Sequence, residues 1–157
     1  VLSANKADNV GETVDALKNL GRKVAALLDA DEKGRHSAQE IKDRCPVFTY
    51  EAIDGQDITT ELALLYGLEN KAQERAVSGL QVYPECACCP QKSDVTNCIN
   101  KNGCQLSLSK HRLKRELRDS CIRQYREIGI LPKVFIHLLE ELDCAQPGKI
   151  TELKLTT

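Results

Sequence analysis

The stretch ECACCPQKSDVTNCINKNGC, residues 85 to 104, holds five of the chain's eight cysteines, three of them within four positions. A run this dense must be a disulfide knot, a metal cage or a redox centre, and each constrains the fold differently. A zinc cage is built from four tetrahedral ligands, usually two close pairs joined by a spacer. Here Cys86-x-Cys88-Cys89 is followed only by the scattered Cys98, Cys104 and His111. No second close pair exists, so no metal is expected. A thioredoxin-type centre places Cys-x-x-Cys at a helix start after a buried strand. Cys86-Ala-Cys-Cys89 has the spacing, but Pro90 follows at once and no strand pattern precedes it. Disulfides leave no cysteine over: Cys45, Cys86, Cys88, Cys89, Cys98, Cys104, Cys121 and Cys144. Neighbours such as Cys88 and Cys89 rarely bond to each other. At least two bridges are therefore expected to run from this loop to Cys45, Cys121 and Cys144, with the pairing left open.

The same count sets an expectation for compartment. Disulfide-dense chains belong to oxidising environments, and the opening Val1-Leu2-Ser3 has no charged-then-apolar leader. The chain thus reads as secreted and extracellular, with its signal peptide removed. No apolar run is long enough for a transmembrane segment. Neither Trp nor Met is present and only two Phe, so Leu, Val, Ile and Ala must fill the core, and crosslinks would compensate for the small aromatic share.

Apolar periodicity supplies the helices. Val10, Val14, Leu17, Gly21, Val24 and Leu28 recur at helical spacing, predicting an N-terminal amphipathic helix within residues 1–34. Ser37-Ala-Gln-Glu40 reads as a capping box opening a short helix to Cys45, stopped by Pro46. Residues 46 to 57 read as a loop. Asp57 can cap a helix carrying Ile58, Leu62, Leu65, Ala72 and Ala76, ended by Gly79. No helical period survives across the cysteine-rich loop, 80–104. Leu106, Leu113, Leu117, Cys121 and Ile128 then mark a helix closing at Gly129, and Pro132 opens a last one with Val134, Phe135, Leu138, Leu139 and Leu142. Residues 145–157 alternate weakly and are expected to be a short strand or a flexible tail. The fold class expected is all-α: four main amphipathic helices and a short one packed around an irregular disulfide-rich loop, in a single domain spanning 1–157.

The opening VLSANKADNV resembles the start of an α-globin chain, and the order Cys, Cys, Cys-Cys resembles the plant eight-cysteine family of lipid-transfer proteins and seed albumins. The first likeness ends within ten residues, with no His between Phe48 and His111. The second breaks where Cys-x-Cys should follow the doublet, because Cys98 and Cys104 are five residues apart. No functional residue transfers from either.

Charge is uneven although the net is −1: residues 46–100 carry three basic against eight acidic groups, and 101–157 eleven against seven. KHRLKRELRDSCIRQYRE, residues 110 to 127, offers a basic binding face of Lys110, Arg112, Lys114, Arg115, Arg118, Arg123 and Arg126. An anionic polysaccharide, an anionic lipid or the acidic segment of a second copy fits it. Nucleic acid is not expected, because stacking aromatics are absent apart from Tyr125 and a disulfide-rich exterior protein seldom meets nucleic acid. No phosphate loop, nucleophile elbow or zinc-protease signature occurs. No catalytic residue, metal site or cofactor is expected, and the chain reads as a non-enzyme. Its expected role is binding or self-association as a homo-oligomer, structural or binding, in an extracellular fluid or material. The alternatives are a carrier of a small apolar ligand or lipid and a diffusible signal or toxin acting on a receptor.

Overall fold

The computed structural model describes residues 9–53, 55–78, 80, 95–100 and 107–155, with side chains described at 96, 98, 99 and from 111 within the last two stretches. The chain divides into two compact units, one formed by the residues up to 59 and from 133 to 155, the other by 60 to 132.

The first unit contains a parallel sheet, which corrects the all-α expectation. Helix α1 (Val10–Asn19) ends where Gly21 takes a φ of 70°. There the amide N–H groups of Gly21 and Arg22 donate to the carbonyls of Lys18 and Leu17, the glycine-terminated Schellman arrangement. Gly21 is thus a helix terminator, and the apolar run that continued the helical stripe becomes strand β1 (Ala26–Leu28). Helix α2 (Glu32–Ile41) crosses over to β2 (Val47–Tyr50), and β3 (Ile150–Leu153) completes a sheet of order β1-β2-β3 with both pairings parallel. The register sets Leu27 beside Phe48 and Phe48 beside Thr151.

A parallel strand covered on both faces reads as a continuous apolar run, and every residue of β2 is buried. Residues 46–57, expected as a loop, therefore hold the central strand of the sheet. On one face Val47 joins Val14, Ala26, Leu28, Ala38, Ile41 and Cys45 in a core roofed by α1 and α2. By strand alternation Phe48 and Tyr50 point to the other face. Both are 1% exposed, and burying each contributes about 1.5–3 kcal/mol. Helix α2 starts at Glu32 with Asp31 as its cap, so Ser37 lies inside the helix and not at its start. The tail expected after 145 supplies β3, the strand that was one of its two expected forms.

The second unit is helical: α3 (Thr60–Tyr66), α4 (Asn70–Ser78), α5 (Val95–Asn100) and α6 (Ser107–Ile128). Helix α6 packs against the other three, burying Leu113, Leu117, Cys121 and Tyr125 with Leu62, Leu65, Ala72, Ala76 and Ile99. Residues 95–100, expected within the irregular loop, form α5. The single helix expected from Asp57 to Gly79 is broken between α3 and α4, where Gly67 meets Tyr125. The Tyr125 hydroxyl donates to the Leu64 carbonyl at 2.9 Å. A Cβ on residue 67 would sit 2.6 Å from that oxygen, so the close approach requires glycine. The long helix α7 (Lys133–Leu142) belongs to the first unit and packs on β3.

Gly67→Ala is expected to lower the free energy of unfolding by about 1–3 kcal/mol through overpacking. Tyr125→Phe alone should cost about 1 kcal/mol through its lost hydrogen bond. Because removing the hydroxyl removes the clash, urea unfolding of the double variant should show a loss smaller than the sum of the two.

Candidate functional site

The expected disulfides are not formed among the described residues. Cys45, Cys121 and Cys144 are thiols, and no disulfide at bonding distance joins any described pair. Cys45 is buried at the end of α2, Cys98 is buried in α5, and Cys121 is buried in α6 with no exposed surface. Among the described cysteines Cys144 is exposed, whereas Cys45 and Cys121 pack as small apolar side chains, one in the core of each unit. Burial pushes the Cys45 thiol up, against the nearby charges of Lys18 and Arg44. It also pushes Cys121 from 9.0 to about 12, with the Glu61 carboxylate adding to the rise. Cys86, Cys88, Cys89 and Cys104 lie outside the described residues, as does most of the loop 80–104.

The expected basic face is distributed as follows. Arg112, Arg115, Arg118, Arg123 and Arg126 of α6 are exposed and Lys114 is half-exposed; the Lys110 side chain lies outside those described. Arg112 pairs with Glu116 at 2.9 Å, and Arg118 comes within 3.8 Å of Asp119.

A second cluster, not anticipated from the sequence, lies where parallel strands place ligand sites, beyond their carboxyl ends. It is built on the turn Asp29-Ala30-Asp31 between β1 and α2. The Asp31 side chain accepts the amide N–H of Gly34 at 2.7 Å and so caps α2. Gly34 passes directly beneath the strand end: a Cβ there would lie 1.9 Å from the Asp29 carbonyl oxygen. The Ala30 amide donates to the Ile58 carbonyl at 2.8 Å. The Arg35 guanidinium donates to the Ala30 carbonyl and, at 3.1 Å, to the Asp57 carboxylate. Asp57, expected as a helix cap, instead closes this turn. Ala30 is buried, while Asp29 and Asp31 remain half-exposed.

At the ends of β2 and β3 the polar groups are engaged with one another. The Glu51 carboxylate accepts the Leu155 amide at 2.6 Å and the Lys154 ammonium at 3.1 Å. The Lys154 amide donates to His137 Nδ1 at 3.1 Å. His137 therefore accepts at Nδ1, carries its hydrogen on Nε2, and faces Glu141 one turn along α7 at 3.6 Å.

Asp29 and Asp31 thus place two carboxylates on a turn whose backbone is fixed from both sides. Hard cations such as Mg2+ are commonly held by one or two carboxylates, with water and ligand phosphate completing the shell. Among the described residues no group of three or more potential metal-ligating side chains occurs. The signal that could have revealed the site is an apolar run, Val24–Leu28, ending in Asp-x-Asp and followed three residues later by Gly34. It was hidden because those apolar residues also fit a helical stripe.

No protein-family model, curated protein or solved structure matches this chain.

The buried ionisable groups of the second unit make its stability fall with alkali. Tyr125 is raised from 10.0 to about 12 by burial and by its neighbour Cys121. The folded state keeps the Cys121 and Tyr125 protons where the unfolded chain has lost them, so stability falls as pH rises from about 9 towards 12. Urea midpoints measured across this range should decline, and Cys121→Ala should flatten the decline. An unchanged slope would assign it to other groups.

Proposed function

We propose that this chain acts by binding, and that its ligand site is the Asp29-Ala30-Asp31 turn at the carboxyl edge of the parallel sheet, taking a divalent cation together with a phosphate-bearing small molecule. One observation carries the reading: two half-exposed carboxylates stand on a turn made rigid by the Gly34 close approach. Fixed, partly desolvated carboxylates hold a hard cation better than mobile ones do, because the ordering cost is met during folding. The cation then recruits an anion to an edge that is otherwise acidic. A cation held this way is also the requirement for metal-assisted phosphoryl or phosphodiester chemistry, so turnover is followed in the same samples. The expectation of secretion does not enter this reading.

Titration with Mn2+, read by the loss of its free-ion paramagnetic resonance signal, should show one site. Asp29→Asn and Asp31→Asn should each weaken it by at least about tenfold. Asparagine is as good a helix cap as aspartate, so the second change removes charge and leaves α2 started. Binding that is absent, or indifferent to both changes, rejects the site.

The apolar side of α7 favours self-association as a second reading. Ile136, Leu139 and Leu142 are 40%, 61% and 37% exposed, and within α7 only Val134 is buried. Lys133 opens this helix, while Glu140, Glu141 and Asp143 close it. Antiparallel pairing with a second copy would therefore bring unlike charges together across an apolar seam. Light scattering during size exclusion should give twice the chain mass at tens of micromolar, and Leu139→Glu should give the single-chain mass. A wild-type monomer rejects the pairing.

A further inference from the structure

We infer that His137 is a proton-operated latch between α7 and the end of β3: the neutral ring ties strand to helix, and protonation hands the ring to Glu141 within α7 and frees the strand end. The inference is independent of the proposed cation site, since it uses no residue of the Asp29-Ala30-Asp31 turn.

The end of β3 is held to the sheet through Glu51. The Leu153 carbonyl accepts the Glu51 amide at 3.0 Å. The Leu155 amide donates to the Glu51 carboxylate at 2.6 Å, and the Lys154 ammonium reaches the same carboxylate at 3.1 Å. The Lys154 amide leads elsewhere, to His137 Nδ1 on α7 at 3.1 Å. A backbone amide can only donate, so this bond requires a lone pair on Nδ1. Imidazole is the side chain whose charge ordinarily changes between pH 5 and 8, and its cationic form carries hydrogen on both nitrogens. Protonation thus sets two donors against each other where a hydrogen bond stood.

On the other side of the ring, Nε2 stands 3.6 Å from Glu141 Oε1, one helical turn on. At that distance a neutral ring gains little, whereas a charged one forms an ion pair. The ring is 28% exposed, so solvent protons reach it without any opening of the fold.

The charges nearby set the direction of the exchange. On α7, Lys133 lies one turn before the ring, and Glu140 and Glu141 one turn after it. Helix α7 packs on β3, whose one charged residue, Glu152, alternates to the face opposite Leu153. Beyond β3 comes the Lys154 ammonium, paired with Glu51. Tyr50, beside Leu153 in the register, is the titratable residue that β2 adds. A charged ring is therefore drawn to the Glu141 carboxylate on its own helix and repelled by the ammonium at the strand end.

The test follows single backbone amides of the full chain by NMR hydrogen exchange, together with imidazole 15N spectra. Measurements at about pH 7.5 and about pH 5.5 span the imidazole range and stay above that of ordinary carboxylates. Nδ1 should be unprotonated at the higher pH. Protection of the Lys154 amide, corrected for the intrinsic pH dependence of exchange, should fall on the order of fivefold or more at the lower pH. Protection of the Glu51 amide, which belongs to the pairing of β2 with β3, should hold within about twofold. His137→Gln supplies a carbonyl that accepts an amide and takes up no proton in this range, so its Lys154 amide should be equally protected at both pH values. His137→Phe offers no acceptor and should leave that amide poorly protected at both. A Lys154 amide indifferent to pH in the wild-type chain overturns the inference. So does a parallel fall at Lys154 and Glu51, which would be loss of the strand pairing itself, and so does a pH response that survives in His137→Gln.

Discussion

The first unit depends on a backbone approach that only a residue without a side chain permits. Gly34 lies in the first turn of α2, beneath the end of β1, at a distance where a Cβ would penetrate the Asp29 carbonyl oxygen. That approach, together with the Asp31 cap on the Gly34 amide, turns the chain from strand into helix through the short turn Asp29-Ala30-Asp31. The rest follows from the turn. A helix begun there runs back over the sheet and places Ala38 and Ile41 in the core with Val47, and its end delivers Pro46 and β2 in parallel register beside β1. The Ala26 amide, reaching the Pro46 carbonyl at 3.0 Å, begins the pairing. The constraint that shapes the fold also exposes two carboxylates at its carboxyl edge.

Cys45 and Cys121 have a different role from the one the cysteine count suggests. A chain without Trp or Met has few large side chains with which to fill irregular interior space. A thiol is close to a small apolar group in its packing, and Cys45 and Cys121 are 2% and 0% exposed, among aliphatic neighbours. In α6 the thiol occupies the stripe position between Leu117 and Tyr125, where an aliphatic residue would also fit. Counting cysteines treats them as crosslinks, whereas burial at helical spacing marks these two as core residues. The spacing of Cys121 on its stripe was visible in the sequence, and the pairing argument outweighed it.

Legibility followed element length and the uniqueness of each pattern. Helices α6 and α7 were readable because long stripes bounded by Gly129 and Pro132 fit no other period. The part of the N-terminal stripe from Val10 to Leu17 was readable as α1 by its helical spacing. Strand β1 was not, since the short apolar run Ala26–Leu28 continues a helical stripe as well as it forms a strand, and the backbone at Gly21 separates the two. Strand β2 carries Val-Phe-Thr-Tyr, a strong strand composition, but lay in the shadow of Pro46 and Gly55. The cation-site residues were missed with β1, because Asp29 and Asp31 acquire meaning only once a strand ends at Leu28. The basic face, in contrast, was visible by composition, and what the fold adds is which of its members share one side.

Within the second unit, packing keeps charged side chains out of the contact between α6 and its neighbours. Helix α6 meets α3 and α4 through Leu113, Leu117 and Cys121 on one side and Leu62, Leu65 and Ala72 on the other. Apolar sides that pack together turn the polar sides outward, so Glu69 and Glu74 at α4 and Arg115 and Arg126 on α6 all face water. Neutralisation across this helical contact would require charges inside the interface, at a desolvation cost that surface ion pairs do not repay. Amphipathic packing therefore leaves the charges of α6 on its water-facing side, where Glu116, Asp119 and Glu127 are interleaved with the arginines and Arg112 pairs with Glu116 at 2.9 Å.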